Sequence, residues 1–367
     1  MLLREILATL EAIAPLRHAE SWDNVGLLAG DPEALIHRAL LTIDYTPEVA
    51  AEARRLRAEL VVAYHPPLFQ AVKRLDARSL VFQAIRDGIA LYSPHTALDV
   101  AEGGTNDLLA DALDLATRGP LQRAAPKDTH YKLVTFVPED EIDRVSAALF
   151  AAGAGQIGKY AACSFRAPGT GTFFGEEGSK PVVGSAGKLE RVNELRLETV
   201  LPIARAEAVI AALRSAHPYE EPAFDLVRLA PAPDGDGDGI GIGRIGELAA
   251  PRSRAALIAQ IKRALGVDAL LVAGPLDGEI RRAAVCAGAG GSLLEAAIAG
   301  GAELFLTGEL RHHDALRAAS VGMTVVCALH SSSERPTLAR VKARLEAAHP
   351  GLVVALSKDD RDPFSLA

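Results

Sequence analysis

Three stretches of this chain each end an apolar run in side chains that can bind a cation or move a proton. They are VVAYHPPLF (61–69) with His65, LYSPHTALD (91–99) with His95 and Asp99, and VVCALHSSSERP (325–336) with His330 and Glu334. Imidazole and carboxylate together suit a divalent cation of the Zn, Fe, Mn, Co or Ni kind, and no cysteine stands among these residues to call for a thiophilic metal. Gathered carboxylates also favour two cations, because one carboxylate can bridge ions that otherwise repel. A two-metal site suits hydrolysis, lowering the pKa of water and stabilising negative charge as it develops. His95 precedes Asp99 by four positions, as His330 precedes Glu334, so a helix places each pair on one face and a tight loop also lets them converge. Taken singly, a histidine after a strand is more often a hydrogen-bonded structural residue. The coincidence of several such clusters is what favours the metal reading.

The elements around these residues decide whether they can meet. Small and β-branched residues at 60–63 read as a buried strand that Pro66 and Pro67 must end. His65 then lies at a strand's carboxyl end, where α/β proteins place their chemistry. Strands at 40–44, 60–63 and 89–92 alternate with helices at 1–13, 47–58 and 75–88, as a mostly parallel sheet requires. Thr105 or Asn106 is expected to cap the next helix. From about residue 125 the texture changes to strand 132–137, helix 139–153, strands 160–166 and 190–200, helix 204–216 and strand 222–229. That is the order of a ferredoxin-like α+β unit. It ends in APAPDGDGDGIGIGR (230–244), whose Gly, Pro and Asp make a poor core.

Beyond that linker the α/β texture returns. Helices are expected at 251–265, 293–299, 312–319 and 337–347, and strands at 269–272, 282–287, 304–307 and 324–328. The economical reading is one α/β core, 1–124 and 233–367, split by an inserted domain at 125–232, with each part of the core donating ligands.

Composition narrows the function classes. A formal charge of -8 argues against a general nucleic-acid binder. Three widely spaced cysteines, Cys163, Cys286 and Cys327, fit a reducing compartment better than a disulfide framework. With neither a leader-like start nor an apolar run long enough for a bilayer, a soluble cytoplasmic protein is the expectation. The glycines of AGAGGSLL (287–294) read as a tight strand-to-helix turn lining the cleft, with phosphate binding as the lesser option, and GIGRIG (241–246) lacks the context of a dinucleotide fingerprint. Trp22, the only tryptophan, reads as a packing residue, and Glu220 and Glu221 of HPYEEPAFD (217–225) as surface or cap residues.

The segments SWDNVGLLAG, VVAYHPPLF, LYSPHTALDVAEGGTNDLLA, HPYEEPAFDL, GIGRIGEL, VCAGAGGSLLEAAIAGGAELFLTGELRHHDAL and HSSSERP run in a consistent order along nearly the whole length. Together they resemble the NIF3 (DUF34) family, in its long bacterial form. The resemblance implies a two-lobed α/β core split by an inserted domain similar to PII and CutA-type proteins. It also implies a dinuclear metal centre between the lobes and a ring-shaped homohexamer. The family's HHP motif falls on Tyr64, His65 and Pro66, its downstream aspartate on Asp99, and its C-terminal His and Glu on His330 and Glu334. The metal ligands expected on that basis are His65, Asp99, His330 and Glu334. Tyr64 departs from the pattern, standing where many members have a metal-binding histidine. A neutral phenol is a poor ligand, so one ion is expected to be weaker, water-completed or absent.

His95, one of two catalytic candidates with His313, is expected either to ligate or, the favoured reading, to act from behind the ligands, bonded to Asp99 or to a bound anion. His313, in the group Glu309, His312 and His313, is expected as a proton carrier or anion contact. The function expected is a dinuclear metal-dependent hydrolase, GTP cyclohydrolase-like or acting on another nucleotide or phosphoester. The alternative is a non-enzymatic metal-binding, metal-delivery or regulatory scaffold.

Overall fold

The computed structural model describes residues 1–123, 130–179, 181–230 and 240–365. The chain forms two compact units, Met1–Ala124 with Asp238–Ala367, and Ala125–Gly237. The boundaries expected at 124/125 and 232/233, and most of the linker, lie outside the described residues. No helix among the described residues is long and apolar enough to cross a membrane.

The first unit holds two sheets. In one, the order is Gly26–Ala29, Ala90–Ser93, Leu60–Ala63, Arg38–Thr42, Val353–Leu356. All neighbours are parallel except Gly26–Ala29. Both faces are covered, which is why its central strands read as unbroken apolar runs. Leu41, Leu60 and Val62 pack on one side with helices Leu3–Ile13 and Pro336–Ala348. Leu40, Val61 and Leu91 pack on the other with Pro47–Leu56 and Leu80–Arg86. Because four adjacent strands are parallel, the residues following them gather along one sheet edge. Val353–Leu356 was not expected from sequence: it is a short edge strand, with half of its residues exposed, completed only by pairing with Arg38–Thr42.

The second sheet runs Leu271–Ala273, Thr324–Cys327, Leu304–Glu309, Glu279–Ala289, Arg244–Ser253, Leu115–Gly119. Its middle ladders are parallel and its outer three antiparallel, so a mostly parallel arrangement holds for the first sheet alone. The helix expected at 251–265 is displaced at its start by the strand Arg244–Ser253. The helix begins at Arg254, where the Ser253 hydroxyl accepts from the Ala256 N–H. Gly246 lets the neighbouring backbone approach: a Cβ there would sit 1.6 Å from the Thr117 carbonyl oxygen.

Arg244 ties this strand to the segments carrying the candidate residues. Buried, it donates from Nε to Asp107 Oδ1 at 2.6 Å and from its terminal nitrogens to the carbonyls of Val100, Gly241 and Gly243.

The second unit is an antiparallel sheet in the order Phe224–Arg228, His130–Pro138, Leu189–Pro202, Ser164–Phe174. Helices Ile142–Ala151 and Ala206–Ala216 supply Val145, Leu149, Val209 and Leu213 to a core shared with Leu133, Val137, Leu197 and Leu201. A cavity of about 600 Å3 in this unit is lined by its own residues, among them Phe136, Phe173, Glu194 and Tyr219.

His217, from the HPYEEP turn, is a structural histidine. Its Nε2 donates to the Phe136 carbonyl at 2.9 Å, and its Nδ1 accepts from the Tyr219 N–H at 3.1 Å. Burial lowers its pKa below the ordinary 6.5, and a proton on Nδ1 would face the Tyr219 donor. A histidine with a depressed folded-state pKa contributes stability fully above about 6.5 and loses it as the pH falls below that value. We expect the urea midpoint to fall more between pH 7 and 5 in the wild type than in His217→Gln, whose amide can make both bonds without titrating. Parallel pH profiles would remove this role.

Candidate metal centre

The strand Leu60–Ala63 delivers His65 rigidly, because pairing continues past its end: Tyr64 N–H donates to Thr42 O at 2.9 Å and His65 N–H to Ile43 O at 3.0 Å. Asp44, beyond the end of the neighbouring strand, meets His65 Nδ1 at 2.9 Å. From the second sheet, Thr324–Cys327 leads into the short helix His330–Glu334 through Leu329, whose φ of 70° is in the left-handed region. A leucine held there stores strain of the sort found at functional sites. One helical turn separates His330 from Glu334, and their Nε2 and Oε1 atoms lie 3.2 Å apart. Glu334 Oε2 lies 3.3 Å from His65 Nε2. Glu309, ending strand Leu304–Glu309, lies 3.1 Å from His330 Nδ1.

His65, His330 and Glu334 thus offer ligand atoms all within 4.8 Å of one another. Each imidazole turns Nε2 inward and commits Nδ1 to a carboxylate, Asp44 or Glu309. Such outer carboxylates orient metal-binding histidines and raise their basicity.

Asp99 is handled differently. It lies one turn beyond His95 in helix His95–Val100 and accepts the hydroxyl proton of Tyr64, which is fully buried. The Tyr64 oxygen also meets Thr105 Oγ1 at 3.0 Å. Asn106 Nδ2 donates to Asp99 O at 2.9 Å and its Oδ1 accepts from Ala287 N–H at 2.8 Å. Neither Thr105 nor Asn106 caps the helix Thr105–Ala112, whose N-cap is Gly104. Both side chains are spent on the site instead. Among the described residues Asp99 is outside the group formed by His65, His330 and Glu334.

His95 turns to Asp23 rather than to Asp99. Its Nδ1 lies 2.8 Å from Asp23 Oδ1, on a carboxylate that also takes the Thr96 hydroxyl and, at 3.2 Å, the Thr96 N–H. His95 has a φ of 28°, a second left-handed non-glycine at the site, and its ring centroid is 5.4 Å from that of His65. His313 is exposed in the first turn of helix His312–Ser320, its ring 5.4 Å from that of His312. Asp23 and Asp44 were missed in the sequence. The signal for Asp44 was present, since it too follows an apolar run, whereas Asp23 sits in a polar turn with no such cue.

Electrostatics tie the group together. Burial lowers the His65 pKa, but Asp44 and Glu334 raise it more, to about 10. Glu334 raises His330 to about 9 against burial, with help from Glu309. Burial raises Glu334, yet the two histidines hold it below the ordinary carboxylate value. Burial, then Glu334, push Asp99 up to about 6. Burial also carries Tyr64 well above its ordinary value.

These residues fit a divalent cation. Glu334 Oε2 is buried and, although close to His65, makes no hydrogen bond. The floor opposite is glycine: a Cβ on Gly288 would lie 2.8 Å from Glu334 Oε1 and 3.2 Å from His330 Nε2. Two imidazoles and a carboxylate are a common donor set for Zn and for non-haem Fe.

Known proteins place the chain in context. The family model described as Duf34/NIF3 (NGG1p interacting factor 3) matches residues 1–363. A GTP cyclohydrolase 1 type 2 homolog of Mycobacterium tuberculosis is 39% identical over 346 residues, 91% of this chain and 88% of that one. The protein of the same name from Bacillus subtilis is 34% identical over 373 residues, 99% of this chain and 98% of that one. Among solved structures, a Bacillus cereus protein related to NIF3 aligns with a TM-score of 0.65 at 33% identity, covering 100% of this chain and 99% of that one.

Proposed function

The chain belongs to the Duf34/NIF3 family, and on that premise we propose that it is a metal-dependent hydrolase whose cation is held by His65, His330 and Glu334. The observation that carries this reading is the convergence of two carboxylate-backed imidazoles on one buried carboxylate. A divalent cation there supplies Lewis acidity, making water a better nucleophile near neutral pH and offsetting negative charge that develops on the substrate. Asp99 is the carboxylate beside this set that would reach a second, weaker ion, its hydrogen bond from Tyr64 competing with that role.

His95 is the proton carrier in this proposal. With Nδ1 committed to Asp23, its Nε2 takes the proton of the attacking water and returns it to the leaving group. His313 is set aside because it is exposed and pairs with His312. The substrate class is a nucleotide or other phosphoester, GTP among the candidates, consistent with the name carried by the relatives. Assembly as a homohexamer is part of the proposal, to be read from solution mass. So is a ferredoxin-like inserted unit, supported by its strand, helix, two-strand, helix, strand order.

The test is turnover of GTP and a phosphoester panel by metal-loaded protein. His95→Gln is expected to lower kcat roughly a hundredfold, at the lower end for general acid–base groups, with bound metal unchanged. Equal kcat in both proteins would remove His95 from the reaction. Tyr64→His, which puts imidazole beside Asp99, is expected to raise the bound metal toward a second ion per chain by elemental analysis. An unchanged stoichiometry would show that Tyr64 does not set occupancy.

A further inference from the structure

We propose that Trp22 and Phe69 form a stacking platform at the mouth of the metal centre, and that the platform receives the flat heteroaromatic ring of the substrate. The inference rests on the hydrolase reading of the same site and adds the chemical class of what is presented to it.

Trp22 is 59% exposed and Phe69 48% exposed. Single exposed aromatics need no explanation. These two come from different loops and meet, with ring centroids 5.9 Å apart and planes tilted by 59°. Their loops are tied at this point, since Asn24 Nδ2 donates to Leu68 O. The residue between Trp22 and Asn24 is Asp23, whose carboxylate is fully buried and bonded to His95 and Thr96. Well-anchored backbone therefore holds two large apolar rings about half in water, which forgoes much of the hydrophobic stabilisation that full burial would bring.

The rings also point the platform at the chemistry. Trp22 lies edge-on to His95 at 6.1 Å and His95 edge-on to His65 at 5.4 Å, while the rings of His65 and His330 are tilted by 58° with centroids 5.4 Å apart. A ring lying against Trp22 is thus beside the proposed proton carrier, one residue out from the metal ligands. Every nucleobase has a face that stacks on indole or phenyl, whatever its hydrogen-bonding edge. A platform built this way selects ring-bearing substrates over sugar phosphates.

Trp22 is the only tryptophan in the chain, so emission excited selectively at tryptophan, beyond the absorption of the six tyrosines, reports on this residue alone. The probes are GMP and ribose 5-phosphate, titrated into metal-loaded and metal-free protein. Saturable quenching by GMP but not by ribose 5-phosphate is expected, weakened in Phe69→Leu. Trp22→Leu is expected to raise the KM for a nucleotide substrate about tenfold with bound metal unchanged. Equal responses to the two probes, or none, would overturn the platform. So would an emission that shifts with protein concentration in the absence of ligand, which would mean that a second copy covers these rings. Quenching by GMP in protein that hydrolyses nothing would sink the hydrolase reading and leave the platform standing. Hydrolysis without quenching would do the reverse.

Discussion

On the proposed hydrolase reading, Glu334→Gln is expected to abolish divalent-cation binding and reduce turnover to background. Glu334 faces both histidines of the centre, with Oε1 3.2 Å from His330 Nε2 and Oε2 3.3 Å from His65 Nε2. It is the one carboxylate among the three clustered groups, so the amide removes the only negative charge they would place on a cation. Changing an outer residue that merely orients a ligand weakens metal binding by about 10- to 100-fold. Loss of a ligand together with its charge should exceed the upper end of that range. Glutamine keeps the size and the helix, so circular dichroism of the metal-free variant should match the wild type, while its unfolding midpoint should fall because His65 and His330 lose their buried counter-charge. Calorimetric titration with Zn, Mn and Fe measures the effect directly. Wild-type affinity for all three in the variant would show that the cation, if bound, is held elsewhere.

Arg244→Met will destabilise the first unit by roughly 3–5 kcal/mol, the usual cost of removing one partner from a buried ion pair. Arg244 and Asp107 are both buried, and the guanidinium also satisfies carbonyls at Val100, Gly241 and Gly243. Asp107 keeps the Gly103 N–H at 2.6 Å and a looser approach from Arg118 at 3.7 Å, so the lower half of the range is the better expectation. Urea unfolding measures it. Adding Asp107→Asn should recover part of the loss, because the cost lies in an uncompensated buried charge rather than in missing volume. A single variant within 1 kcal/mol of wild type, or a double variant as damaged as the sum of two singles, would reject this account. Asp107 follows Thr105 and Asn106 in the helix that supports Tyr64 and Asp99, so the pair also braces the metal centre from behind.

Much of this was legible one stretch at a time. The runs before His65, His95 and His330 end where strands end, because apolar runs closed by proline or by polar residues have few other ways to bury themselves. Edge strands and antiparallel partners were harder. Leu115–Gly119 and Val353–Leu356 carry a weak apolar signal because they are edge strands, and Arg244–Ser253 was read partly as helix because its burial depends on both neighbours. The fates of Thr105 and Asn106 show the same limit. Short polar side chains after a glycine turn ordinarily cap helices, and only the arrival of Tyr64, Asp99 and Ala287 gives them better partners.

By itself the amino-acid order determined which residue types stand at strand ends, the α/β character of the core, and the family to which the chain belongs. Those are local or pattern properties, fixed by side-chain period and by where the backbone can turn. Tertiary structure alone decided that Glu334 lies between His65 and His330, that Asp99 turns to Tyr64, and that His95 is oriented by Asp23. The pairs His65 with Glu334 and His95 with Asp23 join positions far apart in the chain and nothing in their spacing links them. His95 meets Asp23 because Gly26–Ala29 pairs antiparallel with Ala90–Ser93, and His65 meets Glu334 because the segments that follow strands of two different sheets converge; burial then forces each charged group to take the nearest partner of opposite sign or a hydrogen-bond donor.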